Sequence, residues 1–291
     1  MTLADFFEAI GKIAGLLFVV SSMLAMGLSL TVPMIIQPLK NVKLVVLALL
    51  ANFVLVPLLA YLIILIVPLE QSLRIGLVVL ATAAGAPFLP KLVQGAKGDV
   101  AFGVGLMVLL MVVTIIYMPL VLPLLLTGVS VNPWNIAKSL IVIMLVPLGI
   151  SLLIKSHSPE VAADYQPLMA KASSLSLLVL LVVGLGLNIS NIIDLIGTGG
   201  LIALILFVVG SLVIGLVLGG REPGVRSVMG LGTAQRNVSA ALVVTMQNFS
   251  GTNTLPFVLI AAVLGLLILL PTAKQLGARV APAVSAPPAK A

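Results

Sequence analysis

The chain has 291 residues, of which 61% are apolar and only 8% charged. That leaves too little polar surface to cover a water-soluble particle, which excludes a soluble enzyme and a disordered protein alike. A net charge of +7, from 15 Lys and Arg against 8 Asp and Glu, fits cytoplasmic loops of a membrane protein better than a nucleic-acid surface. With no Cys there are no disulfides or thiolate sites, and a single histidine, His157, removes any polyhistidine centre.

A spanning helix with a short loop takes roughly 28–32 residues, which allows nine or ten spans. The expected fold is an all-α polytopic membrane protein in which residues 1–275 form one transmembrane unit. The N-terminus carries Asp5 and Glu8 where a secretory signal would be basic, and the apolar run after it is too long for a signal core. In chain order the spans are predicted at about 11–36, 42–67, 71–97, 100–127, 132–155, 165–190, 193–219, 224–248 and 252–275. Turn chemistry separates them, for example Gln37-Pro38-Leu39-Lys40, Pro68-Leu69-Glu70, Lys97-Gly98-Asp99, Ser156–Asp164 and Gly219–Gly224. The Ala/Pro-rich stretch 276–291 is expected to be a disordered cytoplasmic tail.

Nine spans put the termini on opposite sides, and the basic residues choose between them. With the N-terminus outside, Lys40, Lys43, Lys97, Lys155, Lys171, Arg221, Arg226, Lys274, Arg279 and Lys290 fall in cytoplasmic connections. Only Lys12, Arg74 and Lys138 fall outside. The expected location is a cell (inner) membrane, N-terminus out and C-terminus in.

Two spans carry interruptions. Span 3 holds Ala83-Ala84-Gly85-Ala86-Pro87-Phe88-Leu89-Pro90, with two prolines three residues apart. Each proline removes an amide donor and clashes with the preceding turn. Span 8 holds Gly230-Leu231-Gly232-Thr233-Ala234-Gln235-Arg236-Asn237, two glycines followed by a polar cluster. Irregular backbone at membrane depth persists only where protein buries it or it lines a cavity. Paired interruptions at matching places of two halves point to a transporter's binding site. The halves are read as inverted repeats of 4 + 5 spans, about residues 11–127 and 132–275, with span 3 matching span 8. Unwinding is expected around Gly85–Pro90 and Gly230–Ala234, where the two segments should cross.

Arg236 follows the rim residue Arg226 by ten residues, which puts it about 15 Å deep. At that depth it must face the protein interior. Its fork is a candidate partner for a substrate carboxylate or sulfonate, or a tethered cation bracing the crossing. The candidate substrate-binding set is Arg236, Gln235, Asn237, Ser239, Thr233, Gly85 and Pro87. Lys91, Asn52 and Gln235 are the candidates for coupling, and Lys91 is the one able to carry a proton. Phosphate loops, dinucleotide fingerprints and metal-ligand spacings are missing, so neither an enzyme nor direct ATP use is expected.

Four stretches resemble the bile acid:sodium symporter family. Met26-Gly27-Leu28-Ser29-Leu30-Thr31 is similar to its "MGL-L" segment, and Ala51-Asn52-Phe53 with Pro57 to its "AQF…P" segment. Lys97-Gly98-Asp99-Val100-Ala101 resembles "(K/R)G(D/N)VA", and Gln235-Arg236-Asn237 the "QN" or "RN" core of the second broken helix. The resemblance implies a panel domain and a core domain with two crossing discontinuous helices. It also implies transport of an organic anion with sodium by an elevator-like or rocking cycle. Where the family places polar sodium ligands, this chain has Gly85-Ala86-Pro87-Phe88-Leu89-Pro90 and Leu231, and of the second site only Asn52 and Gln235 line up. The expectation is therefore a secondary transporter with no cofactor or metal beyond the sodium that the resemblance alone implies, with proton-coupled or uncoupled transport as the alternatives, a small organic anion and the lipid bilayer as partners and no nucleic acid. A non-transporting sensor or scaffold on the same fold, or a channel, is the rival reading.

Overall fold

The computed structural model describes residues 3–126, 132–186, 197–249 and 251–279, and among them the only regular structure is helical. Among the described residues, seven helices are long and apolar enough to cross a membrane, and two further segments are each built of two half-helices. The exterior is greasy: Leu65 is 80% exposed and Leu124 76%. Meanwhile Asn52, Thr82, Thr114, Arg236 and Asn237 are buried. Apolar side chains outside and polar ones inside fit lipid, not water, and the chain is an integral membrane protein.

Helix α1 (Leu3–Ser29) ends seven residues before the expected boundary, and a short α2 (Val32–Ile36) follows. Pro33 explains the interruption: it fits the first turn of α2, but it has no amide to offer the Ser29 carbonyl four residues back and its ring crowds that turn. The second span is α3 (Val42–Leu50), a π turn (Ala51–Leu55) and α4 (Val56–Ile66). In the π turn the Val56 amide reaches back to the Ala51 carbonyl. The same device recurs in the fifth span, where α8 (Pro133–Leu140) passes through a π turn (Ile141–Leu145) into α9 (Val146–His157). Both π turns precede a Val-Pro pair, Val56-Pro57 and Val146-Pro147.

Between these lie α5 (Gln71–Thr82), α6 (Leu89–Gly95) and the long α7 (Val100–Leu125), whose first turn is capped by Asp99 accepting from the Phe102 amide at 2.9 Å. Helix α10 (Pro159–Gly186) begins directly after Ser158, so most of the expected loop 156–164 is helical. Pro159 sits at the first helical position, where its missing amide costs nothing. The chain ends with α11 (Gly200–Leu218), the half-helices α12 (Pro223–Ala234) and α13 (Val238–Asn248), and α14 (Thr254–Arg279). Helix α14 carries the chain four residues into the expected tail; the rest of that tail lies outside the described residues.

Two tyrosines tie α4 to α7. Pro57 cannot donate to the Phe53 carbonyl four residues back, and the Tyr117 hydroxyl takes that acceptor at 2.7 Å. Eight residues further along both helices, Tyr61 donates to the Leu125 carbonyl at 2.5 Å. Helix α1 packs on α9 and α10. A Cβ at Gly27 would lie 1.9 Å from Ser151 Oγ and 2.8 Å from the Leu148 carbonyl, so only glycine permits this approach of α1 to α9.

Candidate functional site

The first break is legible in its hydrogen bonds. Helix α5 stops at Thr82, and Gly85 then takes φ +79°, a left-handed conformation that favours glycine. The exposed backbone of the break is satisfied from outside. Thr114 on α7 accepts from the Ala84 amide at 2.9 Å and donates to the Ala84 carbonyl at 3.0 Å. The Asn237 amide donates to the Ala83 carbonyl and the Asn237 side chain to the Gly85 carbonyl, both at 2.9 Å. Pro87 lies at the end of the break, but Pro90 already belongs to the first turn of α6.

The second break does not fall where two glycines suggested. Residues Gly230–Ala234 are helical, and the backbone leaves the helix at Gln235, Arg236 and Asn237. The glycines serve contact instead: a Cβ at Gly230 would lie 2.6 Å from the Leu216 side chain of α11. Unwinding occurs where Asn237 can cap α13, its Oδ1 accepting from the Ala240 amide at 3.0 Å. The two breaks therefore meet, as expected, but the contact runs from Gln235–Asn237 to Leu80–Gly85.

Arg236 is 5% exposed and its guanidinium is heavily engaged. Nε donates to the Leu80 carbonyl at 2.9 Å and Nη2 to the Ala81 carbonyl at 2.8 Å. Nη1 donates to Asn52 Oδ1 at 2.9 Å and to the Thr233 carbonyl at 3.1 Å. Four of its five N–H groups are thus spent on the protein. Asn52 reaches this centre from the π turn, and its Nδ2 donates to the Ala48 carbonyl at 3.0 Å and to Thr233 Oγ1 at 3.4 Å.

A cavity of about 640 Å³ lies between α1 and α10 on one side and the crossed breaks on the other. That size suits a small organic molecule. Pro87, Lys91, Gln235, Arg236 and Ser239 border it. Thr233, Asn237, Gly85 and Asn52 do not; they belong to the buried network behind its wall. Lys91 is exposed and stands over the Phe88 ring, Nζ 5.5 Å from its centroid. Among the described residues that line the cavity, two are cationic and none is acidic.

The opposite wall was not anticipated. Ser22 and Ser29 of α1, and Gln166, Ser173 and Ser174 of α10, face the cavity among apolar neighbours. Their seven-residue spacing, 22 to 29 and 166 to 173, is the signal that could have found them. Thr114 and Tyr117, single polar residues in an apolar run, were also missed.

Residues 16–195, more than half of the chain, match the sodium bile acid symporter family, and the chain belongs to it. No curated protein matches the chain.

Proposed function

We propose that the chain, as a member of a family of transporters, carries an organic anion across the membrane by alternating access, binding it in the cavity between α1, α10 and the crossed breaks. The charge of the cavity carries this reading: Lys91 and the edge of Arg236 are there, with no carboxylate to oppose them. Pre-set cations in a partly apolar pocket favour an amphipathic anion over a cation or a neutral polar solute. Ser239 and the first turn of α13 add a hydroxyl and the positive end of a helix dipole beside the same space.

In this reading the chain crosses the membrane nine times as two related halves, about 11–127 and 132–275. The half-helices form a core that moves against a panel including α1 and α10, and the N-terminus lies outside. The serine-lined face of α1 and α10 supplies adaptable contacts, while Lys91 fixes the acid group. Arg236, with most of its donors occupied, contributes long-range positive potential more than a direct fork.

Lys91 gives the test. Saturable uptake of a panel of carboxylates and sulfonates into proteoliposomes identifies a carried anion. Lys91→Gln should then raise its half-saturating concentration about tenfold, and Lys91→Arg should leave it within about threefold. Equal affinities in all three proteins would remove Lys91 from the site. Flux that never saturates would favour a channel, and binding without uptake a sensor.

A further inference from the structure

Four protein oxygens converge on the Arg236 guanidinium at the crossing. Helices α5 and α12 both end at the crossing, and the last carbonyls of a helix have no partner inside it. Ala81 supplies one such oxygen from α5 and Thr233 another from α12; the Leu80 carbonyl, which also accepts from the Ala83 amide, is a third, and the Asn52 side chain in the π turn a fourth. All four are neutral acceptors. Each helix C-terminus also carries about half a negative charge, so two converging ends present about one elementary charge. Half-helix C-termini and unwound carbonyls are the means by which broken helices hold a monovalent cation.

We propose that the Arg236 guanidinium is a tethered cation filling this site, so that the anion is carried without a metal ion bound at the crossing. The guanidinium stays charged and cannot be released to solution, whereas a coupled ion must load on one side and unload on the other. Sodium also finds no side-chain oxygen in the first break, where Ala83, Ala84, Gly85, Ala86, Pro87 and Phe88 offer none. The backbone of Ala84 and Gly85 is already bonded to Thr114 and Asn237. The proposal rests on the transporter reading only for what is carried; the cation site itself is a matter of stability.

The experiment is thermal unfolding of the full-length protein in detergent, with 100 mM NaCl exchanged for choline chloride at constant ionic strength. The wild type should melt within about 1 °C in the two salts. Arg236→Ala, which empties the cage but leaves its oxygens, should melt lower. It should regain about 2–4 °C or more in sodium, or in 20 mM guanidinium chloride, relative to choline. A wild-type gain of that size in sodium overturns the proposal. So does an Arg236→Ala protein as stable as wild type, or one that neither cation stabilises. If Arg236→Ala yields no folded protein, the wild-type comparison decides alone. Anion uptake measured in parallel separates the two readings. Uptake that falls tenfold without sodium defeats the tethered cation and leaves the transporter. Sodium indifference with no uptake of any anion defeats the transporter and leaves the tethered cation.

Discussion

Gly85→Ala should lower the melting temperature of the solubilised protein by about 4–20 °C, a large effect for the addition of one methyl group. Two costs add. Gly85 sits at φ +79°, where an L side chain costs about 1–2 kcal/mol. The new Cβ would also lie 2.2 Å from the Met111 amide nitrogen and 2.6 Å from Met111 Cα, in the middle of α7. Backbone cannot rotate away as a side-chain tip does, so overpacking adds about 1–3 kcal/mol. The sum is about 2–5 kcal/mol, and each kcal/mol moves the midpoint of a chain near this size by about 2–4 °C. A shift below 2 °C would mean that the first break is looser than these contacts allow.

Asn237→Leu should cost about 1.5–5 kcal/mol, because one side chain closes both breaks. The leucine cannot accept from the Ala240 amide, and loss of such a cap costs about 0.5–2 kcal/mol. It also leaves the buried Gly85 carbonyl without its donor, which costs about 1–3 kcal/mol. Asn237→Ser separates the two, since a hydroxyl still caps α13 but is too short to reach Gly85. Thermal midpoints should therefore fall in the order wild type, Asn237→Ser, Asn237→Leu. Equal midpoints for Ser and Leu would show that the cap contributes nothing and that the strap to Gly85 is the whole effect.

How far the sequence could be read depended on whether the cause of each feature was local. Pro87 and Pro90 break a helix by their own covalent structure, so the first interruption was legible from Span 3 alone. Gly230 and Gly232 looked like a second cause of the same kind, yet glycine in a helix is only a small local penalty. Packing of Gly230 against Leu216 offsets that penalty, and the helix runs on to Ala234. The π turns were invisible because Ala51–Leu55 and Ile141–Leu145 have the composition of any apolar helix. The depth of Arg236 followed from counting residues, but its partners did not. Two are carbonyls near the point where α5 stops, one is the Thr233 carbonyl at the end of α12, and the fourth is the Asn52 side chain, from a span 184 residues earlier.

The paired tyrosines on α4 and α7 have a topological consequence. Phe53 lies against Tyr117 and Tyr61 against Leu125, so the rungs advance in the same direction along both helices. Antiparallel helices in contact at Phe53 and Tyr117 would put Tyr61 beside residue 109, about 24 Å from Leu125. Helices α4 and α7 are therefore parallel, and both finish at the same end of the helix bundle. The chain from 67 to 99 must return to the opposite end to begin α7. A re-entrant hairpin, dipping in and out on one side, would have reversed α7. In the nine-span reading proposed above, the two short half-helices α5 and α6 would then make one complete traverse, with the irregular stretch between them partway across.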